Sequence, residues 1–170
     1  MIVFITGETG TGKTDTSWSL IETQNSVFLD CDWFASRSPF SWACAEDVAS
    51  VYRAIFSQVE FHLGEGRSSF VITLTPEMAA IFPSIVSGFK KFGLPICAFR
   101  LTPQPFAVQR RIADRGRDQK EIERTNAARQ RVELDAMFAT DDVFAAIDNT
   151  GLDAQATARI VAGRMLKFPQ

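Results

Sequence analysis

Gly7, Gly10 and Gly12, followed at once by Lys13 and Thr14, set out the first chemistry open to this chain. The run Gly7-Glu8-Thr9-Gly10-Thr11-Gly12-Lys13-Thr14 satisfies G-x-x-x-x-G-K-[ST] at every fixed position. Glycines let the backbone curl until successive N–H groups point inward, which makes a concavity for phosphate oxygens. A helix expected to begin near Lys13 adds its positive end to that concavity. The Lys13 ammonium can bridge β- and γ-phosphates, and the Thr14 hydroxyl can hold Mg2+. The pattern therefore reads as a cradle for a nucleoside triphosphate, with ATP the expected co-substrate.

A second constellation follows the apolar run Val27-Phe28-Leu29, where Asp30 and Asp32 flank Cys31. On an extended chain, positions 30 and 32 point to the same side. Phosphoryl transfer needs a carboxylate to hold Mg2+ and another to orient or deprotonate the attacking hydroxyl. Asp30 suits the metal and Asp32, further out, suits the acceptor, with the opposite assignment left open. Cys31 would then turn into packing. Trp33, Phe34, Phe40 and Trp42 come next, either as outlying core or as the wall of a pocket for a flat or apolar substrate. Arg37 and Arg53 read as solvated unless a ligand draws them in.

The third constellation is basic. Between Arg100 and Arg131, nine lysines and arginines accompany four carboxylates, a local balance of +5 in a chain of net charge −2. Arg110, Arg111, Arg115 and Arg117 cluster around Gly116. Arg111 and Arg115 lie four apart, on one face of a helix. With Gly116 as a hinge, residues 111–124 read as a lid. Its arginines Arg111, Arg115 and Arg117 would neutralise charge on a transferring phosphoryl group and exclude water.

These groups need a scaffold, and the apolar periodicity supplies one. Short buried runs are expected as strands at residues 2–6, 27–29, 70–72, 95–101 and 143–147. Helices are expected at 13–23, 46–63, from 76 with an interruption at Pro83, from 102 to about 115, from 118 to 138, and 153–166. Asp118 and Glu121 are read as a cap for the long helix. Short buried strands alternating with helices imply a parallel sheet covered on both faces, a three-layer α/β/α domain with ligands at the carboxyl ends of the strands.

The bulk composition agrees with one domain over residues 1–170, since 46% of the residues are hydrophobic and 22% charged. Net charge disfavours a general nucleic-acid surface. Three scattered cysteines and one histidine argue against a disulfide framework and against a zinc site. No apolar run reaches membrane-spanning length and no charged leader precedes Ile2, so a cytoplasmic location is expected. Nothing in the pattern bears on oligomeric state.

Taken in chain order, the three constellations resemble the small P-loop kinases, a group that includes shikimate kinase, gluconate kinase, chloramphenicol phosphotransferase and the nucleotide kinases. Phe28-Leu29-Asp30-Cys31-Asp32 looks like the D-x-D of shikimate kinase, whose first Asp serves Mg2+ and whose second meets the substrate hydroxyl. The run from Leu101-Thr102-Pro103 to Arg115-Gly116-Arg117 is similar to the arm that enters the lid. Asp148-Asn149-Thr150-Gly151 looks like the loop bordering adenine, so Asn149 and Thr150 join the nucleotide-binding set. The resemblance implies a sheet order of 2-3-1-4-5 and an ATP-dependent kinase acting on a hydroxyl of a small molecule. Thr73-Leu74-Thr75-Pro76 stands where shikimate kinase has three glycines, which leaves the acceptor open. A nucleoside, nucleotide or polynucleotide 5′-hydroxyl kinase is the nearest rival. A non-catalytic ATP-binding regulatory module is the rival of another class.

Overall fold

An apolar run without alternation has two faces to bury, and Ile2–Thr6 accordingly forms β1, with every residue buried. The computed structural model describes residues 1–35, 38–116, 118–138 and 144–167. Val27–Asp30 forms β2, Phe70–Thr73 β3, Ile96–Leu101 β4 and Ala145–Ile147 β5. They make one parallel sheet in the order β2-β3-β1-β4-β5, as the resemblance implies. Register sets Asp30 beside Thr73 and Thr6 beside Arg100, so the carboxyl ends of four strands come level.

The helices are α1 (Lys13–Gln24), α2 (Ala45–Gly64), α3 (Pro76–Ala80), α4 (Phe82–Phe89), α5 (Pro105–Asp114), α6 (Lys120–Phe138) and α7 (Ala154–Met165). One sheet face buries Phe4, Leu29, Ile72 and Ala98 with α2, α3 and α4 side chains such as Val51, Met78 and Phe89. The other buries Val3, Ile5, Val71 and Phe99 with Leu20 of α1 and Val161 and Met165 of α7. Phe4 meets Phe82 and Phe89 edge-on, with ring centroids 5.2 and 5.5 Å away. Each such ring contributes about 1.5–3 kcal/mol by leaving water. None of the helices among the described residues is long and apolar enough to cross a membrane.

Several boundaries depart from the sequence expectation, each for a local reason. The segment holding Pro83 does divide in two, at Ile81, with Pro83 in the first turn of α4. The Thr75 hydroxyl caps α3 by accepting from the Met78 amide at 3.4 Å. The helix expected from residue 102 starts instead at Pro105, because Gln104, which precedes that proline, is extended (ψ 149°). Asp118 does not open α6. That helix starts at Lys120, and the Gln119 carbonyl accepts from the Glu123 amide at 3.0 Å. Lys120 instead donates to the Ala113 carbonyl at 2.6 Å, a cation at the C-terminal end of α5.

Candidate active site

The chain leaves β1 at Thr6 and curls through the glycine-rich loop into α1. Gly7, Gly10 and Gly12 all have positive φ, at 151°, 87° and 91°. At Gly10 the requirement is double, because a Cβ there would stand 3.0 Å from both Val108 and Ile112 of α5. The Thr11 hydroxyl donates to the Glu8 carbonyl at 2.9 Å, and its amide donates to the same oxygen at 3.3 Å. The Thr9 amide is taken by Gln130. Among the described residues, no carbonyl accepts from the amides of Gly10, Gly12, Lys13 or Thr14. Those amides ring the start of α1, where the helix presents its positive end.

Lys13 folds back over the loop and donates to the carbonyls of Gly7 (2.7 Å) and Glu8 (3.3 Å). Burial pushes its ammonium below the ordinary lysine value, while Cys31, Asp32, Asp30 and Glu8 act in the opposite sense. Its bonds are to neutral carbonyls, so an incoming anion competes for a cation that is poorly compensated where it stands.

Asp30, buried at the end of β2, reaches across to α1. The Thr14 hydroxyl donates to its Oδ2 at 3.0 Å, and the Asp32 amide donates to its Oδ1 at 3.1 Å. The extended geometry expected for residues 30–32 is not what forms. β2 ends at Asp30, and Cys31–Ala35 is a turn of 3-10 helix. That turn still gathers the groups, since one ligand atom from each of Asp30, Cys31 and Asp32 lies within 4.8 Å of the others. Asp32 is exposed, and Cys31 packs into the core. Burial, with the neighbouring Asp32 and Asp30 carboxylates, pushes the Cys31 thiol well above its usual value, so it is a neutral thiol. The hydroxyl and carboxylate oxygens of Thr14 and Asp30 are hard donors suited to Mg2+.

On the other side of the loop, a cavity of about 290 Å³ opens among Gly12, Asp15, Arg111, Arg115, Asn149 and Asp153. Arg111 staples its rim by donating to the carbonyls of Thr11 (2.8 Å), Asn149 (2.8 Å) and Leu152 (3.1 Å). Its pKa lies below the ordinary arginine value through burial and the neighbouring Arg115, opposed by Asp15. Asn149 donates from Nδ2 to the Thr11 carbonyl at 2.9 Å, and its buried Oδ1 has no partner among the described residues. Thr150 does not line this cavity. Its hydroxyl accepts from the Gln104 amide at 2.7 Å and donates to Asp148 at 2.6 Å. Those bonds from Thr150 hold the Asp148 carboxyl below its usual range. Arg115 stands 3.9 Å from Glu123, and Arg110 points outward toward Asp114 at 3.8 Å. Arg117 and Arg37 lie outside the described residues.

The aromatic segment resolves toward packing. Phe34, Phe40 and Trp42 lie against the core, and Trp33 rests on Phe28 and Trp18 with centroids 5.1 and 6.3 Å away. Arg53 is exposed. Sequence reasoning missed Gln130 and Arg131 of α6, which hold Thr9 and Glu8 of the loop. It also missed Asp15 on the cavity wall. Gln130 and Arg131 carried no local signal, because a charged helix looks the same whether or not it faces a loop far back in the chain.

No protein-family model matches the chain, and no curated protein does. Solved structures do. The tunicamycin resistance protein of Deinococcus radiodurans superposes with a TM-score of 0.67 at 20% identity, over 96% of this chain and 94% of that one. A sugar kinase from Janibacter gives 0.64 at 18% identity, over 98% and 92%. Shikimate kinase from Acinetobacter baumannii gives 0.62 at 16% identity, over 98% and 93%. At such identities the likeness establishes architecture, and the chain has the fold of the small P-loop kinases.

Proposed function

We propose that this protein is an ATP-dependent kinase that moves the γ-phosphoryl group to a hydroxyl of a small molecule. The observation that carries the reading is the Thr14–Asp30 bond of 3.0 Å at the mouth of a loop whose Gly10, Gly12, Lys13 and Thr14 amides meet no carbonyl among the described residues. Gly7, Glu8, Thr9, Gly10, Thr11, Gly12, Lys13 and Thr14 wrap the phosphates. Asn149 and the cavity beside Arg111 receive the rest of the nucleotide, and Thr150 braces the same loop through Gln104 and Asp148. Thr14 and Asp30 would hold Mg2+, which when bound supplies charge neutralisation for the phosphates.

In the transfer, a bond forms between the acceptor oxygen and the γ-phosphorus, and the bond from that phosphorus to the β,γ-bridging oxygen breaks to release ADP. Lys13 leaves its carbonyl partners to meet the phosphates. Asp32, exposed beside Asp30, orients the acceptor hydroxyl and takes its proton. Residues 111–124 act as a lid, with Arg115 and Arg117 closing over the triphosphate and Arg111 fixed at its rim.

The test is ATP consumption with Mg2+ across pools of sugars, cyclic polyols, antibiotics, nucleosides and 5′-hydroxyl oligonucleotides. ADP release that depends on one pool supports the reading and names the acceptor class. Release only with nucleosides or oligonucleotides would move the assignment to a nucleic-acid precursor kinase. ATP binding with no release from any pool would favour a regulatory module.

A further inference from the structure

The phosphate loop contains an acid, and the fold keeps it buried. Glu8 is 1% exposed, yet it sits in the segment that must receive a polyanion. A carboxylate there opposes phosphate binding unless its charge is cancelled and its position held. Arg131 does both. It donates to Glu8 Oε1 and, from the same nitrogen, to the Pro103 carbonyl just ahead of α5. Among the described residues the second carboxylate oxygen, Oε2, is buried without a hydrogen-bond partner, so Arg131 supplies the direct contact, and the Lys13 charge interacts with Glu8 as well.

The neighbouring residue of α6 grips the next residue of the loop. Gln130 Oε1 accepts from the Thr9 amide at 2.9 Å and from the Thr9 hydroxyl at 3.1 Å. That bond withdraws the Thr9 amide from the phosphate-facing set, while among the described residues the amides of Gly10, Gly12, Lys13 and Thr14 meet no carbonyl. Two consecutive side chains of one helix thus hold two consecutive loop residues.

We propose that Gln130 and Arg131 are positioning residues that hold the phosphate loop in its binding shape and couple it to α6. The inference rests on the triphosphate-binding reading above. α6 begins at Lys120, inside the proposed lid of residues 111–124, so the helix that holds Glu8 and Thr9 is continuous with the lid segment. Removing Arg131 alone strands a buried charge, which is far more disruptive than removing both partners. That asymmetry separates this role from ordinary packing.

The full-length chain is compared with Arg131→Gln, Arg131→Lys, Glu8→Gln, Gln130→Ala and the Glu8→Gln/Arg131→Gln double variant. Two readouts are taken well below each variant's melting temperature: hydrogen exchange of the loop amides without nucleotide, and calorimetric binding of Mg-ATP. Arg131→Gln should speed exchange across residues 8–14 and weaken ATP binding about tenfold or more. The double variant should recover most of both losses, and Arg131→Lys should fall between. Gln130→Ala should speed exchange at Thr9 foremost. Loop exchange and ATP affinity in Arg131→Gln equal to those of the parent chain would overturn the proposal. So would losses in the single variants that simply add in the double one. If the parent chain bound no Mg-ATP, the kinase reading would fail, while the exchange comparison would still decide whether α6 holds the loop.

Discussion

The Thr14 hydroxyl donates to the Asp30 carboxylate across 3.0 Å and so ties the first turn of α1 to the end of β2. The bond joins two groups that phosphoryl transfer needs side by side, a hydroxyl on the phosphate loop and a carboxylate at the sheet edge. It is also a bond that a divalent cation would replace with two of its own, which makes both residues testable together.

Thr14→Ala and Asp30→Asn should each remove the enhancement of ATP binding by Mg2+ and leave binding in the presence of chelator nearly unchanged. Calorimetry with and without Mg2+ measures the difference. Equal loss in both conditions would place these residues in loop structure rather than in cation binding.

Asp32→Asn should leave Mg-ATP affinity close to that of the parent chain and lower turnover by roughly 10²–10⁴, the usual range for a general base. Asp32 is exposed, and the bond from its backbone amide to Asp30 does not depend on its side chain. Full activity of the variant with the true acceptor would rule out this role.

Lys13 predicts a pH dependence. Burial holds its ammonium below the ordinary lysine value in the free protein, so its charge is lost as pH rises through that depressed value. A bound triphosphate favours the charged form. In the window between the depressed and the ordinary lysine pKa, binding should therefore take up a proton, and affinity should fall as pH rises. Calorimetry in two buffers of different ionisation enthalpy detects the uptake. Constant affinity and no proton uptake across that window would contradict the assignment.

Much of this site was legible because its signals are local. The glycines, Lys13 and Thr14 are contiguous, and strands as short as Phe70–Thr73 announce themselves by unbroken apolar runs between turn residues. The turn at Cys31–Ala35 was not legible, since two carboxylates one residue apart fit an extended chain equally well. The Asp30 side chain settles it by accepting from the Asp32 amide. Nor could the Glu8–Arg131 pair be read, because 123 positions separate its partners and only the folded sheet brings α6 over the loop. Arg111 shows a third limit. Its spacing from Arg115 predicted one shared helix face, but α5 ends at Asp114 with Arg115 outside it, and three carbonyls that the sequence did not reveal hold Arg111.

The core supplies a prediction independent of function. Phe4 is fully buried in the central strand and packs edge-on against Phe82 and Phe89. Phe4→Ala should cost about 3–5 kcal/mol of stability, which denaturant unfolding measures directly. A loss well under 1 kcal/mol would mean that the three rings do not form one packed unit.

The central claim is transfer, and the most direct measurement is passage of label from γ-labelled ATP into an acceptor. The parent chain and Lys13→Ala would be assayed in parallel, with Mg2+, over the acceptor pools described above. A labelled product is expected from one pool with the parent chain, and a rate lower by about 10² or more with Lys13→Ala. Equal labelling by both proteins, or label that never leaves ATP although the parent chain binds it, would contradict the kinase assignment.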